Sequence, residues 1–202
     1  MLKITQTLLS TWGYTFQCQE EYQEDAYADF LAKLRRENPP PTDAMKNGLE
    51  FEDEVYKQAD GLARTPHPKW ERGICAVATE LKGAVFQVKL QSVLTIGKTE
   101  LLLEGVLDAL RAGSIYDVKF LNKSFGSAEL AGKYLESPQH PAYFYLVPEA
   151  FDFTYLVSDG SDLYKERYTP DMCRPFPELA KQFLDWLDGA GLMEIYQEHW
   201  QI

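Results

Sequence analysis

The sequence predicts an α/β or α+β domain in which helices surround a three-strand β-meander, and three observations predict it. Helical apolar spacing dominates both ends of the 202-residue chain. Residues 84–120 change to β-branched and apolar runs broken by two hairpin-length turns. A second strand–turn–strand pattern, centred on Asp159-Gly160, precedes the return of helical spacing.

Taken in order, Thr5 to about Arg36 reads as mostly helical. Leu8, Leu9, Trp12, Tyr14 and Phe16 open it, and Tyr27, Phe30, Leu31 and Leu34 recur at helical intervals. Pro39-Pro40-Pro41 ends it, because proline has no N–H to give and clashes with the preceding turn. Thr42 or Asp43 caps a second helix running to about Asp60, on which Glu52 lies at the margin of the line Phe51, Val55 and Ala59. Thr65-Pro66-His67-Pro68 is a loop, and Trp70 to about Leu81 is a third helix. Val85–Ile96 then reads as a strand turned by Gly97-Lys98, Leu101–Leu110 as its partner, and Ser114–Phe120 as a third strand after Arg111-Ala112-Gly113. Helices near 127–135 and 139–147, strands near 152–157 and 163–168, and helices near 176–188 and 191–199 complete the chain. One domain spans 1–202, with its core at about 44–168.

Composition narrows the function classes. There is no basic leader with an apolar run behind it and no stretch near the ~20 apolar residues of a membrane span, so a cytoplasmic protein without a membrane partner is expected. Cys18, Cys75 and Cys173 are odd in number and scattered, which argues against disulfides and a zinc cluster and suggests small core hydrophobes. Three scattered histidines disfavour a histidine metal site: His67 and His199 look structural or incidental, and His140 looks like a helix cap or surface residue. No phosphate loop, nucleophile elbow or dinucleotide fingerprint is present. The net charge of −11 weighs against a polyanion partner. Yet the stretch 111–135 sets Arg111, Lys119, Lys123 and Lys133 against only Asp117 and Glu129, while the acidic excess gathers after residue 149.

The chemistry is concentrated in Glu104-Gly105-Val106-Leu107-Asp108 and Ile115-Tyr116-Asp117-Val118-Lys119. Antiparallel neighbours joined by a short turn bring Asp108 and Asp117 together. Alternation puts Asp117 and Lys119 on one face and turns Val118 to the core. Hard divalent cations such as Mg2+ (or Mn2+) take oxygen ligands, here the two carboxylates and the Val118 carbonyl. Such an ion acidifies a water and offsets charge on a phosphoryl oxygen, and a nearby lysine positions that water. A strand aspartate near a turn, or Asp-x-Lys on an exposed face, is commonly a solvated pair. The apolar setting of these residues argues for the chemical reading.

Gly-x-x-Asp, a short turn, then apolar-apolar-Asp-x-Lys resembles the core motif of the PD-(D/E)XK nucleases, in the branch related to the RecB nuclease domain and phage lambda exonuclease. Two flanking segments match as well. Gly48-Leu49-Glu50-Phe51-Glu52 resembles the helix on which a glycine precedes a metal-binding His or Glu by four positions, and Gln139-His140-Pro141-Ala142-Tyr143 resembles the Gln-x-x-x-Tyr motif. The resemblance covers about residues 44–148 and implies a restriction-endonuclease-like core, a central mixed sheet flanked by helices. It implies Glu52, Asp108 and Asp117 as metal ligands, Lys119 as the catalytic lysine, and Gln139 and Tyr143 at the site or on DNA. Leu107 stands where proline is common, Glu52 where many relatives carry histidine, and no iron–sulfur cysteine set or helicase motif occurs.

Several further residues are candidates with a structural alternative. Glu80 is a candidate extra ligand, Lys123 and Ser124 a candidate phosphate contact or a solvated loop, and Glu104 a partner for a nearby lysine. Glu50, Asp53 and Glu54 read as solvated, Trp12, Trp186 and Trp200 as core, and Trp70 as packing or a base-stacking platform. The expectation is a metal-dependent deoxyribonuclease, an exonuclease of recombination, repair or phage DNA processing. It would act on DNA as a homo-oligomer or beside a recombination or helicase protein. The alternatives are a silent subunit of the same fold, or a nuclease acting on RNA.

Overall fold

Leu2 and Ile4 alternate inward over only four residues, too short a run to register against the helical spacing that follows. In the computed structural model, which describes residues 1–37 and 39–202, they form a strand, β1 (Leu2–Thr5), that the sequence did not predict. Its cause is tertiary: it pairs in parallel with a distant strand, Leu2 lying opposite Leu101 and Thr5 opposite Glu104. Thr5 ends it and caps the helix that follows, accepting from Leu8 N at 3.3 Å.

The remaining elements are α1 (Gln6–Gln17), α2 (Gln23–Leu34), α3 (Asp43–Ala59), α4 (Glu71–Leu81), β2 (Val85–Ile96), β3 (Thr99–Arg111), β4 (Ser114–Phe120), α5 (Ser127–Leu130), α6 (Gln139–Leu146), β5 (Asp152–Ser158), β6 (Leu163–Tyr168), α7 (Phe176–Gly189) and α8 (Met193–Trp200). Thr42 caps α3 by accepting from Met45 N, as its hydroxyl suggests. The helix expected over 127–135 is a single turn, and Gly132 with φ +76° lies where it would have continued. Ala112 and Gly113 both take positive φ, +48° and +85°, the two-residue hairpin geometry that matches strand twist.

The six strands form one mixed sheet. β2 covers one edge of β3 along nearly its whole length, from Ile96↔Thr99 to Val85↔Leu110. The other edge is shared. β1 takes Leu101 to Glu104 and β4 takes Ala109 to Arg111, so Gly105 to Asp108 face a gap between two strands. β4 then runs parallel to β5, and β6 closes the sheet antiparallel to β5.

Helices cover both faces. Along β5, Tyr155 and Val157 pack with α6 residues such as Tyr143, whereas Leu156 between them packs with Phe51 and Val55 of α3 and Ile74 and Val77 of α4. A third cluster gathers Ile4, Leu8, Trp12, Phe30, Phe183 and Trp200 from β1, α1, α2, α7 and α8. Trp12 and Trp200 are buried and Trp186 half-buried, in line with their helical spacing. The cysteines do not serve as core hydrophobes. All three are free and half-buried: Cys75 lies in mid-α4 beside Glu71 and Arg64, and Cys173 packs only at the margin of a core cluster. Glu54 is not simply solvated either: it pairs with Lys57 and Arg64.

Candidate active site

The gap in the sheet stays open as a cleft because β3 and β4 satisfy their freed backbone groups with side chains. β4 pairs with β3 at only three positions and then diverges. Val118 N–H, which a continued ladder would have paired, donates to Asp108 Oδ2 at 2.9 Å. Val106 C=O accepts from the Tyr143 hydroxyl of α6 at 2.8 Å. A buried backbone group must find some partner, and here the partners are residues the sequence singles out.

The alternation of faces also slips at this point. Val88 and Leu107, a register pair, pack with the α6 layer, whereas Phe86 and Ala109, the next such pair two residues on, pack with α3 and α4. Between them stand Gln87, with φ +54°, and Asp108. Strict alternation therefore fails between Leu107 and Ala109, at Asp108, which lines the cleft together with Glu104.

The cleft has a volume of about 760 Å³, and Glu52, Asp108, Asp117, Val118, Lys119, Gln139 and Tyr143 all line it. Glu52 comes from α3 on one face of the sheet and Gln139 and Tyr143 from α6 on the other; the gap lets them meet. Asp117 is buried, at 2% exposure. Its Oδ1 accepts from Gln139 Nε2. Its Oδ2 forms an ion pair with Lys119 Nζ at 2.7 Å, and among the described residues it has no partner in strict hydrogen-bonding geometry. Glu52 Oε1 accepts from Tyr56 OH at 2.6 Å and from Gln87 Nε2 at 2.9 Å.

The electrostatics are those of like charges crowded together. Burial, then the charges of Asp117 and Glu52, hold the Asp108 carboxyl well above the usual carboxylate range, against Lys119 and the Val118 N–H. Burial chiefly raises Glu52 as well. Burial pulls the Lys119 ammonium down, but Asp117 and Asp108 outweigh it and the net shift is upward, so the lysine stays charged. Burial, with Asp117 and Asp108, raises the Tyr143 phenol, which keeps it a neutral donor.

A divalent cation fits this donor set on three counts. The ligands are hard oxygens, the acids outnumber the Lys119 ammonium that stands among them, and among the described residues a buried Asp117 oxygen has no partner in hydrogen-bonding geometry. Among the described residues no three His, Cys, Asp or Glu side chains form a ready-made cage. Waters and the Val118 carbonyl would therefore complete the coordination, as suits Mg2+.

Other candidates lie elsewhere. Glu80 pairs with Lys165 of β6 at 3.2 Å and does not line the cleft. Lys123 and Ser124 are exposed on the loop after β4, also outside the lining. Glu104 pairs with Lys3 of β1. Trp70 is half-buried, stacked on His67 and packed against Phe120, with Gly160 pressed onto its ring. His140 is neither cap nor surface residue: it is buried, 3.1 Å from Tyr155 OH and stacked on Tyr168. Its helix enters the core through its first turn, which spacing alone does not reveal.

Sequence reasoning missed Tyr56 and Gln87. Tyr56 carried a signal, since it lies four residues after Glu52 on the same helix, where side chains meet. It also underrated Gly105. A Cβ there would stand 2.7 Å from Tyr143 Cε1 and 2.8 Å from Leu146 Cδ1, so the glycine admits α6 to the strand.

Two solved structures share this fold. The crystal structure of SSO0001 aligns with TM-score 0.54 at 13% identity, covering 92% of this chain and 77% of that one. The crystal structure of LHK-Exo in complex with dAMP aligns with TM-score 0.54 at 13% identity, covering 97% of this chain and 92% of that one. No protein-family model matches the sequence, and no curated protein sequence matches it. No helix among the described residues is long and apolar enough to cross a membrane.

Proposed function

We propose that the protein is a metal-dependent deoxyribonuclease of the PD-(D/E)XK class, in the RecB and lambda-exonuclease branch, that hydrolyses phosphodiester bonds from a DNA end. The observation that carries this reading is the meeting of Asp108, Asp117 and Lys119 with Glu52, Gln139 and Tyr143 in one cleft at the gap in the sheet. The fold shared with LHK-Exo, whose structure holds dAMP, supports a nucleotide-bearing substrate.

Asp108, Asp117, Glu52 and the Val118 carbonyl would hold Mg2+ or Mn2+, which when bound supplies Lewis acidity and a counter-charge for the phosphoryl oxygens. Lys119, kept protonated by Asp117, positions the attacking water and stabilises the added negative charge as the water oxygen bonds to phosphorus, its proton passing to solvent, and the P–O ester bond breaks, the departing oxygen taking a proton from solvent. Gln139 fixes the Asp117 carboxylate through Oδ1 and so leaves Oδ2 for the cation and the lysine. Tyr143 orders the edge of β3 and supports the wall against which a nucleotide lies.

The test is digestion of labelled linear and circular DNA with Mg2+ or Mn2+, wild type beside Asp117→Ala and Lys119→Ala. Cutting is expected only with metal, only on the linear substrate, and at least a hundredfold slower in both variants. A folded wild-type protein that neither cuts DNA nor binds either metal defeats this reading and leaves a silent subunit of the same fold, an alternative the net charge of −11 favours. Digestion of a matched RNA instead of DNA would reassign the substrate.

A further inference from the structure

Gln87 occupies a conformation that its residue type does not favour, in the middle of a strand. Its φ is +54°, a region where the Cβ of an L-residue crowds the following carbonyl oxygen. No turn demands it. Gln87 lies within β2, opposite Asp108, between the register pairs Phe86↔Ala109 and Val88↔Leu107. Strain of this kind persists only where its surroundings impose it, and it gathers at functional sites.

The side chain shows what the backbone is aimed at. Gln87 Nε2 donates to Glu52 Oε1 at 2.9 Å and to Tyr56 OH at 3.2 Å, and Tyr56 OH donates to the same Glu52 oxygen at 2.6 Å. The three groups close a triangle. Glu52 Oε1 is thereby held by two neutral donors, while among the described residues no donor reaches Oε2. α3 is otherwise a helix laid on the sheet through Phe51 and Val55. Gln87 is the polar tie from the sheet to its carboxylate, at the same register position as Asp108.

We propose that Gln87 is a positioning residue: its strained backbone delivers an amide that fixes the Glu52 carboxylate, so that Oε2 is left to meet, through a water, a divalent cation held by Asp108 and Asp117. This rests on the metal-dependent reading of the site. Partners that orient a ligand carboxylate commonly change metal affinity ten- to a hundredfold when removed.

The test is calorimetric titration of Mn2+ into metal-stripped protein, with urea denaturation of the same samples. Gln87→Gly removes the amide and accepts positive φ freely; Gln87→Ala removes the amide and keeps the strain. Both are expected to bind Mn2+ about tenfold more weakly than wild type. The denaturation midpoint of Gln87→Gly should not fall below that of Gln87→Ala, so affinity and stability separate, which a merely structural role would not produce. In a Glu52→Gln background, adding Gln87→Gly should change Mn2+ affinity less than twofold. Wild-type affinity in Gln87→Gly, or full multiplication of its effect with that of Glu52→Gln, overturns the inference and leaves the nuclease reading intact. A wild-type protein that binds no Mn2+ overturns both.

Discussion

Asp108 holds two roles that pull against each other. It accepts the Val118 N–H that β4 leaves unpaired, and it sits buried among the charges of Asp117 and Glu52. Removing the carboxylate therefore has opposite consequences for different substitutions. Asp108→Asn keeps an acceptor and relieves the repulsion, so in metal-free buffer its urea midpoint should equal or exceed that of wild type. Asp108→Ala strands the Val118 N–H and should cost about 1–3 kcal/mol. Both should lose Mn2+ binding, so calorimetry and denaturation together separate the roles. His140 supplies a pH-dependent prediction. Burial lowers its imidazole from 6.5 to about 4, so the unfolded chain takes up the proton first as pH falls. Its contribution is intact above pH 6.5 and lost toward pH 4, by at most about 3 kcal/mol. The stability difference between wild type and His140→Phe, followed by denaturation across that window, should shrink accordingly. At this scale Asp117 and Lys119 were legible because strand alternation puts them on one face, and Asp108 because a short turn brings β4 back beside β3, without knowledge of the rest. Gln87 was not, since no propensity rule puts glutamine at positive φ within a strand.

Elements meet at the site through two glycines with opposite meanings. Gly105 is enclosed: a methyl there collides with Tyr143 and Leu146 of α6. Gly105→Ala should push α6 off the strand, cost about 1–3 kcal/mol in urea denaturation and, on the proposed function, weaken DNA binding along with it. Gly48 on α3 is open, with nothing within 4 Å of an added Cβ. Gly48→Ala should stabilise α3 by about 0.5–1 kcal/mol in the same measurement, because alanine costs less backbone entropy in a helix. A drop in DNA affinity beside that gain would place substrate against this face of α3. Most helices and the hairpin turns were readable from caps, proline and apolar period, whereas the stretch 127–135 forms only one turn and Thr5–Arg36 divides into α1 and α2. The strand β1 was not, because four residues owe their form to pairing with β3. Nor was the short β3–β4 ladder, for an apolar run looks alike whether its neighbour stays or leaves.

Across the whole molecule, β1 carries the link between the helical cluster and the cleft. Ile4 is fully buried among α1, α2, α7 and α8, Tyr196 OH donates to Lys3 C=O at 2.8 Å, and Lys3 pairs with Glu104 at the cleft wall. Ile4→Ala should cost about 2–4 kcal/mol by denaturation, with the loss felt at the site as well as in the core. β1 is also one of the two strands that bound the gap in the sheet. Between the last pair of β1 at Glu104 and the first of β4 at Ala109, the width of the opening is counted in residues. A ladder cannot slide by a fraction of a residue, and a slip of one residue reverses every side chain. The separation of the walls is thus a whole number held in the covalent order of the chain. The spacing of that frame is set by where β1 and β4 pair along β3, apart from which side chains line the opening.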